Sequence, residues 1–495
     1  MNLVALKISF RIGIFCLLVL TSLACHAERQ DKSQLPDSVI SALQKAKIPL
    51  QNVAVFVQAL DDNQHAFKNE NQPTISHNTN QRFNPASVMK LVTTYAALDL
   101  LGPAYRWRTE IYTDGIINNG VLNGNLVIKG YGDPSFNEAE FRRLLVSLQQ
   151  AGVKEIHGNL VLDKTYFSPA VGNRITFDAE TYRAYNAMPS ALLVNSRATS
   201  FRFQSLAGLA HVVQEVEVPQ IKIINQLKLA QGDCGDWRNR FKYVVKPEKD
   251  ASTITFTGTY AADCGDKYLE LSLFDDSQYA YFIFQKLWKE LGGSFTGTLT
   301  TNTLQNQTRM STTAIKLVTQ ESKLLADVLR DINKYSNNLM ARQLLLTIAA
   351  EKTGLPATEA LGAQAISAWL ASKNMAFDEL VIENGSGLSR IERISAQHLG
   401  DLLVSAYHSP VMSELMSSLP ILGTDGTVIK RLKGSPTIGR AHLKTGSIDG
   451  VSSIAGYVLD ANNKRWAIVF LVNDVNASNA KSAQDALIEW VYALH

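Results

Sequence analysis

The chain has 495 residues, which is enough for roughly three domains of about 150 residues each. Apolar residues make up 46% of it and charged residues 19%, so the chain can bury a sizeable core and is not disordered. Basic and acidic residues are nearly balanced, with a formal net charge of +3, and the sequence contains no Lys/Arg run. Both features argue against a nucleic-acid-binding protein. The sequence contains no HExxH, CxxC or P-loop motif, which argues against a zinc hydrolase, a thioredoxin-like protein or a P-loop protein.

The first 27 residues have the pattern of a secretory signal peptide. Two basic residues precede an apolar run from Ile12 to Leu20, and small residues follow it. Cleavage after Ala27 would lower the formal net charge from +3 to +1, and we expect an exported, periplasmic protein. The run is too short to span a bilayer comfortably, which argues against an N-terminal anchor. A lipoprotein with Cys25 lipidated is the less favoured alternative.

Cysteine usage agrees with export. Cys16 and Cys25 would leave with the signal peptide, so that Cys234 and Cys264 remain. An exported chain meets an oxidising compartment, and an isolated pair is therefore expected to form a disulfide. Both lie in Asp-Cys-Gly-Asp contexts that are typical of turns at the ends of strands.

The two ends of the chain are rich in helix-forming residues. The spacing of Leu, Ala, Met and Lys predicts helices over residues 85–101 and 321–350. A strand-rich stretch and a helix from Ala483 to Leu494 close the chain. That last helix has about 12 residues, too few to span a membrane.

The middle of the chain, from Trp107 to about Phe295, has the alternating pattern of strands. The clearest alternating stretches are 216–218, 221–223 and 253–257. Asn-Gly pairs, which are typical of hairpin turns, occur at 119–120 and 123–124. We therefore predict an α/β domain assembled from both ends of the chain, with a β-rich insertion between them.

A candidate nucleophile lies at the start of the first predicted helix. Asn84 is a good N-cap and Pro85 suits the first helical position, which places Ser87 third. The backbone N–H there lacks an intrahelical partner and could donate to a developing oxyanion. Lys90, one turn away, could act as the base if burial and neighbouring cations hold it neutral. An ordinary helix start is the alternative, and Ser478-x-x-Lys481 repeats the spacing without the proline or the apolar neighbours.

A Ser-x-Asn motif, Ser336-x-Asn338, follows a helical run that ends near Asn333 and Lys334. Its hydroxyl could pass a proton to a leaving amine, and its amide could bind both a lysine and a substrate carbonyl. The pattern alone is weak, because several other stretches of the chain also contain it.

A Lys-Thr-Gly motif occurs twice, in different contexts. At 352–354 it ends a helical run, where a glycine C-cap and a lysine near the dipole explain it without a function. At 444–446, followed by Ser447, it lies in a predicted edge strand whose neighbour spans 451–458. A peptide substrate could lie against such a strand, with Lys444 and Thr445 beside its terminal carboxylate.

The three motifs in this order are those of penicillin-binding proteins and class A β-lactamases. The chain more specifically resembles the low-molecular-mass class C penicillin-binding proteins, the D-alanyl-D-alanine carboxypeptidase/endopeptidase family, from about Val53 to Val472. Three glycine-containing stretches add to this resemblance, at 130–134, 384–390 and 423–427. Ser87 and Ser336 are 249 positions apart (336 − 87), which agrees with the large two-domain insertion of class C members.

The resemblance implies a fold as well as an activity. It implies a β-lactamase/transpeptidase-like α/β domain, with an antiparallel sheet flanked by helices, formed by residues 28–106 and 310–495. The insertion, residues 107–309, would form two nested β-rich subdomains.

The implied activity is serine-type hydrolysis of peptidoglycan stem peptides or cross-links through an acyl-enzyme on Ser87, with β-lactams as inhibitors. No metal or organic cofactor and no nucleic acid would take part. The resemblance implies that Lys90 is the base, that Ser336 and Lys444 relay the proton, and that Asn338 holds the base and the substrate. Thr445, within Lys444-Thr445-Gly446, would bind the terminal carboxylate. The backbone N–H groups of Ser87 and Ser447 would bind the oxyanion.

Three points stay open at the level of sequence. Arg390 could bind the substrate side chain or be a surface arginine after a glycine turn. A β-lactamase would need a way to deacylate quickly, and class A enzymes supply a Glu for this step. Glu383 lies in the relevant interval between the second and third motifs. A non-catalytic wall-binding scaffold with a relic site is the other alternative.

Overall fold

The structure is a computed structural model that describes residues 35–60, 75–168, 177–178, 180–302, 314–354 and 356–494. The predicted signal peptide, with Cys16 and Cys25, lies outside the described residues. None of the helices in the described part of the chain has the length and apolar character of a membrane-spanning segment.

The helices, in chain order, are α1 (Asp37–Lys45), α2 (Lys90–Leu101), α3 (Glu138–Gln150), α4 (Asp276–Glu290), α5 (Leu325–Lys334), α6 (Asn338–Lys352), α7 (Glu359–Ser372), α8 (Ala396–Tyr407), α9 (Met412–Ser418) and α10 (Lys481–Tyr492). The strands are β1 (Val53–Leu60), β2 (Ile75–His77), β3 (Arg82–Phe83), β4 (Arg108–Thr113), β5 (Ile116–Asn118), β6 (Val121–Asn123), β7 (Leu126–Gly130), β8 (Glu155–Ile156), β9 (Leu160–Asp163), β10 (Thr199–Leu206), β11 (Leu209–Gln214), β12 (Ile221–Ala230), β13 (Phe241–Pro247), β14 (Ser252–Ala261), β15 (Lys267–Leu271), β16 (Ser294–Phe295), β17 (Leu299–Asn302), β18 (Ile315–Glu321), β19 (Ile394–Ser395), β20 (Ala441–Ile448), β21 (Val451–Leu459) and β22 (Arg465–Asn473).

A five-stranded antiparallel sheet joins the two ends of the chain, in the order β2-β1-β22-β21-β20. Strand β1 pairs along its whole length with β22, from Val53↔Val472 to Leu60↔Arg465. Residues 53–57 are all buried because helices cover both faces: α1 and α10 pack on one, and α2 and α8 on the other. The predicted antiparallel sheet flanked by helices is therefore confirmed.

Both predicted helices near the motifs are interrupted where the backbone turns left-handed. The helix predicted over 85–101 begins with a 3₁₀ turn, Ala86–Met89, and becomes α-helical only at Lys90. The helical stretch predicted over 321–350 is two helices, α5 and α6, and α5 ends at Lys334, where the sequence predicts the run before the Ser336 motif to end. Ala86 has φ +45° and Ser336 has φ +57°, conformations that a right-handed helix cannot contain.

The described residues of the inserted region contribute to four sheets, with the orders β17-β9-β7-β4-β18, β16-β8-β6-β5, β11-β10-β15 and β12-β14-β13, and also form the helices α3 and α4. Strand β18, residues 315–321, pairs with β4, so the first of these sheets includes residues beyond 309. The division of the chain into domains, 28–106 with 310–495 and 107–309, stays a prediction.

Three local predictions within the insertion have different outcomes. The Asn-Gly pair at 119–120 forms the expected hairpin between β5 and β6. The pair at 123–124 does not form a hairpin, because β7 leaves β6 and pairs with β4 and β9 in another sheet. Residues 216–218 are not a strand, because the Gln214 side chain accepts the Val218 N–H at 2.9 Å and closes a turn there.

The predicted disulfide is present and has a simple topological cause. Strands β12 and β14 run parallel and in register as far as Ala230↔Ala261, so both strands end at the same place. Cys234 and Cys264 follow these ends and are bonded, with their Cα atoms 4.5 Å apart. The bond therefore closes one end of the β12-β14-β13 sheet.

Candidate active site

The turn that carries Ser87 is held from both sides. The Asn84 side chain accepts the Ala86 N–H at 2.9 Å, as a capping residue does, and donates to the Ser389 carbonyl at 2.8 Å. Ser87 lies within the 3₁₀ turn and not at the third position of an α-helix, so this detail of the sequence prediction is wrong. Lys90 is nevertheless one turn away, as predicted.

The Lys90 amine has three polar contacts, and the chemistry of these partners shows from which group it can accept a proton. Its Nζ lies 2.6 Å from Asn338 Oδ1, 2.5 Å from the Ser386 carbonyl oxygen and 3.0 Å from Ser87 Oγ. Two of these partners are carbonyl oxygens, which only accept, so they take the two N–H donors of a neutral amine. The Ser87 hydroxyl is the one partner that can donate to the remaining lone pair. A neutral Lys90 is thereby directed to accept the Ser87 proton.

The electrostatic surroundings favour this neutral amine. Lys90 is fully buried, and this burial, together with the nearby Lys444 cation, lowers the pKa of Lys90 well below its ordinary value of 10.5. The Glu392 carboxylate opposes part of the shift. Burial of a charge without full compensation favours the neutral form, and a lysine must be neutral in order to act as a base.

Glu392 is a buried carboxyl beneath the site that sequence reasoning missed. Its Oε1 accepts hydrogen bonds from the backbone N–H groups of Glu383, Asn384 and Gly385 at 2.9–3.1 Å. These bonds fix the turn that presents the Ser386 carbonyl to Lys90. Its Oε2 is buried with no hydrogen-bond partner among the described residues. Burial raises the pKa of Glu392, and the three N–H groups oppose that rise.

A glycine lets the 384–390 stretch approach the nucleophile. Gly387 has φ +80°, and a Cβ built on it would lie 1.9 Å from the Ala86 carbonyl oxygen and 2.6 Å from the Ser87 nitrogen. No other residue fits there, because both the space and the backbone conformation exclude a side chain. The density of glycine in this stretch was the available signal that Ser386 and its neighbours belong to the site.

The second and third motifs meet each other. Ser336 occupies the left-handed break between α5 and α6, and Asn338 begins α6. Lys444 on β20 donates to Ser336 Oγ at 2.9 Å and to the Thr445 carbonyl at 2.7 Å. Burial lowers the pKa of Lys444 to about 7. Ser87, Lys90, Ser336, Asn338 and Lys444 thus form one connected cluster.

The outer edge of β20 is open beside this cluster. The Leu443 N–H points away from β21 and donates to the Pro420 carbonyl at 2.9 Å. Because successive residues of a strand present their N–H groups to alternate edges, the N–H groups of Thr445 and Ser447 face this same outer edge. The Thr445 hydroxyl is also 2.7 Å from that of Thr427, a residue that the sequence prediction did not assign.

Gly446 allows the strand to lie against the nucleophile turn. A Cβ built on Gly446 would lie 2.6 Å from the Pro85 carbonyl oxygen and 2.9 Å from the Ser87 nitrogen. The backbone at Ser87 therefore lies beside the open stretch of β20, which places the two expected oxyanion donors on neighbouring segments.

Arg390 lies at the periphery of this arrangement. It donates to the Asp449 carbonyl at 2.9 Å, just beyond the end of β20, and its guanidinium lies 4.7 Å from the centre of the Phe177 ring. Its side chain is half exposed. The structure places it near the strand end, and its contacts do not link it to the two lysines.

The repeated motifs have none of these features. Ser478 and Lys481 are both exposed, in a 3₁₀ turn and at the start of α10. Lys352 is exposed at the last residue of α6, and Gly354 follows with φ +123°. The predicted distinction between the two Lys-Thr-Gly copies, an edge strand and a helix end, agrees with the described structure.

Comparison with known proteins assigns the family. The model of the D-Ala-D-Ala carboxypeptidase 3 (S13) family matches residues 35–494, nearly the whole described chain. The chain belongs to this family. It is a serine-type DD-carboxypeptidase/endopeptidase, and the predicted function class and the class C resemblance are confirmed.

Individual members of the family are distant in sequence and similar in fold. The D-alanyl-D-alanine carboxypeptidase DacB of Haemophilus influenzae is 26% identical over 419 residues, covering 84% of this chain and 85% of that protein. The D-alanyl-D-alanine carboxypeptidase of an Actinomadura species is 27% identical over 400 residues, covering 77% and 72%. The crystal structure of penicillin binding protein 4 from Haemophilus influenzae superposes with a TM-score of 0.74 at 24% identity, over 93% of this chain and 100% of that chain.

Proposed function

We propose that this protein hydrolyses the D-Ala–D-Ala bond of peptidoglycan stem peptides, or the D-Ala bond of a cross-link, through an acyl-enzyme on Ser87. The observation that carries the proposal is the placement of Lys90, whose Nζ lies 3.0 Å from Ser87 Oγ in a fully buried setting. Two acceptors already occupy its N–H donors, so its lone pair is available to the hydroxyl.

In the acylation step, Ser87 Oγ attacks the carbonyl carbon of the penultimate D-Ala while Lys90 Nζ takes the hydroxyl proton. The developing oxyanion accepts hydrogen bonds from the backbone N–H groups of Ser87 and Ser447. The C–N bond then breaks as Ser336 passes its proton to the leaving amine. Ser336 regains a proton from Lys444, and Lys444 in turn takes the proton that Lys90 removed from Ser87, so Lys90 is neutral again before deacylation.

In the deacylation step, water attacks the ester carbonyl carbon and loses a proton to Lys90. The ester bond breaks, Ser87 regains its proton, and the shortened peptide leaves as a carboxylic acid. Asn338 holds Lys90 throughout, and Thr445 binds the terminal carboxylate of the substrate. We propose that Arg390, which contacts Asp449 just beyond the end of β20, binds the substrate side chain.

A β-lactamase would require a way to deacylate quickly, and class A enzymes use a carboxylate that activates the deacylating water. Glu383 is exposed and contributes its backbone N–H to the network, with the Glu392 carboxylate as acceptor. Glu392 is fully buried, so solvent does not reach it. Neither residue therefore supplies a water-activating carboxylate. In a β-lactam adduct the leaving nitrogen stays tethered and blocks the route that water would use, so we expect this acyl-enzyme to persist.

The proposal includes an extracytoplasmic location. The signal-peptide pattern at 1–27 would export the chain to the periplasm, where its substrate and an oxidising environment for the Cys234–Cys264 bond occur together. Sequencing the amino terminus of the protein recovered from the periplasmic fraction tests this, with the mature chain expected to begin at Glu28.

The activity is tested with a synthetic stem peptide ending in D-Ala–D-Ala and with purified wall fragments, with the products identified by mass. Loss of one alanine, or conversion of cross-linked fragments to monomers, is the expected result. A protein that binds these substrates without changing their mass would be a scaffold, and the proposal would be wrong.

A further inference from the structure

A large cavity lies directly beside Ser336, between the catalytic cluster and the inserted region. Its volume is about 840 Å³. From the catalytic side it is lined by Tyr335, Ser336 and Asn337, and the opposite wall comes from the insertion. We propose that this cavity binds the leaving peptide strand of a cross-linked substrate. The inference rests on the acyl-enzyme mechanism proposed above and assigns a second peptide subsite to it.

The position of the cavity follows the path of the leaving group. In the proposed mechanism Ser336 donates a proton to the leaving amine, which must therefore lie within hydrogen-bond reach of Ser336 Oγ. Lys444 occupies one side of this hydroxyl. Ser336 also lines the cavity, so a peptide attached to the leaving amine has room there to extend into it.

The size of the cavity fits one of the two possible leaving groups, a stem peptide, better than the other, a single alanine. Pockets of about 300–1,000 Å³ hold drug-sized ligands, and 840 Å³ lies within this range. The single alanine released by a carboxypeptidase would fill only a small part of it. A cross-link releases an amine that carries a whole stem peptide, which is a ligand of the appropriate size.

The lining has the charge pattern of a peptide site. Four charged side chains line the cavity, two guanidinium groups and two carboxylates: Arg183, Arg238, Glu270 and Asp331. None of the four forms a salt bridge within the described part of the chain. A stem peptide carries both carboxylate and amine groups, so it can satisfy both signs, whereas a neutral glycan leaves them unpaired.

Tyrosines supply the apolar contact area. Tyr335 is 70% exposed and Tyr268 is 46% exposed, one on each side of the cavity. Tyr268 and Glu270 alternate along β15, so their side chains share one face of that strand, and Ser200 lies opposite Glu270 in the register of β10. Exposed aromatic faces beside charged side chains that form no salt bridge in the described part of the chain are characteristic of a binding surface.

The inserted wall also stores backbone strain at this position. Asn195, Ser196 and Arg197 have φ of +48°, +54° and +56°, three consecutive left-handed residues, and the first two line the cavity. Such conformations are costly for residues other than glycine and persist where surrounding contacts hold them. Here Arg197 donates to Ser272 Oγ at 2.8 Å, and Asn195 Oδ1 accepts the Glu138 N–H at 2.9 Å. The wall is therefore preorganised, as a binding subsite requires.

The test compares two substrates that share the scissile carbonyl and differ only in the leaving group. One is a stem pentapeptide ending in D-Ala–D-Ala, and the other is the cross-linked dimer of the same stem. The double variant Tyr268→Ala/Arg238→Ala removes lining groups from the insertion only. Leu209→Ala is the matched control, because Leu209 is an exposed apolar residue of the same β11-β10-β15 sheet and does not line the cavity.

We expect the double variant to lower kcat/KM for the dimer about tenfold or more, as loss of aromatic and arginine anchors does, and to leave the pentapeptide value within about twofold. Its rate of acylation by penicillin, which has no leaving strand, should match the wild type and shows that the fold and the Ser87 site are intact. Leu209→Ala should change neither substrate.

Two results would overturn the inference. In the first, the double variant loses both substrates equally or neither; in the second, the wild-type protein cleaves the pentapeptide but not the dimer. A wild-type protein that cleaves neither substrate would instead overturn the proposed function itself, so the two failures are distinguishable.

Discussion

Two segments of this chain have the same Ser-x-x-Lys pattern and opposite surroundings. At Ser87 and Lys90 the lysine is fully buried, has two carbonyl acceptors and lies near a second lysine. At Ser478 and Lys481 both side chains are exposed. The first lysine has a strongly lowered pKa, and for the second no contact that would make it a base is present in the described structure. The pattern thus supplies the spacing, while burial and neighbours supply the chemistry.

The two Lys-Thr-Gly copies differ in the same way. Lys444 is buried on an edge strand and contacts Ser336, whereas Lys352 is exposed at a helix end, where its charge favours the helix dipole. Each pair therefore provides a natural control for the other, and variants at matched positions test the comparison directly.

The largest expected effect is at the nucleophile. Ser87→Ala should lower peptide hydrolysis by about a thousandfold or more, because among the described residues Ser87 is the one hydroxyl that contacts the Lys90 amine. It should also abolish the penicillin adduct, which in the wild type should map by mass spectrometry to the peptide containing Ser87. Ser478→Ala should change neither. An adduct on Ser336 or Ser478, or full activity in Ser87→Ala, would contradict the mechanism.

A slightly smaller loss is expected at the third motif. Lys444→Ala removes a cation beside the leaving group and should lower kcat/KM by about a hundredfold or more. Lys352→Ala should leave kcat/KM unchanged and lower the free energy of unfolding by about a few tenths of a kcal/mol. Steady-state kinetics on both purified variants, with circular dichroism to verify folding, measures the difference. Equal loss of activity in two folded variants would show that the strand and the helix end do not differ as argued.

The sequence predicted this contrast because its causes are local. A proline at a helix start, a glycine at a helix end and an alternating strand are visible within a few residues of each motif. Glu392 was not predictable in this way: it lies among charged residues that resemble a surface, and only folding brings three backbone N–H groups to its carboxylate. The same holds for the Ser386 carbonyl, which is 296 positions from Lys90.

The boundaries that the sequence predicted wrongly have a related cause. Helical periodicity extends over Ala86, yet this residue adopts a left-handed backbone that delays the α-helix to Lys90. The end of the helical run near Lys334 was predicted, but the left-handed backbone of Ser336 was not. These conformations follow from contacts with distant segments, such as the hydrogen bond between Ser336 and Lys444 on β20. They coincide with the catalytic cluster, where strained conformations are concentrated in proteins.

The disulfide should matter for stability and not for chemistry. It closes a loop of 30 positions in the insertion, which corresponds to roughly 3–4 kcal/mol of stabilisation in the chain-entropy model. Replacing Cys234 and Cys264 by alanine should lower the free energy of unfolding of the inserted region by about this amount in urea titrations. The rate of penicillin acylation at Ser87, measured on the folded variant, should stay at the wild-type value. A slower acylation in a folded variant would show that the surroundings of Lys90 depend on the cross-link in the insertion.

The smallest effect, and the most direct measure of the lysine environments, is the pH dependence. Lys444 has a pKa of about 7 in the unliganded protein, so it is charged below pH 7 and loses its charge above it. If its charge attracts the substrate carboxylate, kcat/KM should fall as the pH rises through 7, by about tenfold per pH unit. Lys90 must be neutral to accept the Ser87 proton, so kcat/KM should also fall on the acidic side as Lys90 becomes protonated.

The two limbs can be assigned with one substitution and two kinetic parameters. Lys444→Arg keeps a positive charge at every accessible pH, so the alkaline limb should disappear even if the overall rate is lower. In the enzyme–substrate complex the bound carboxylate stabilises the Lys444 cation and raises its pKa, and the alkaline limb of kcat should therefore lie at higher pH than that of kcat/KM. An alkaline limb that persists unchanged in Lys444→Arg would belong to another group. The charge of Lys444 would then not be what distinguishes this Lys-Thr-Gly copy from the one at 352–354.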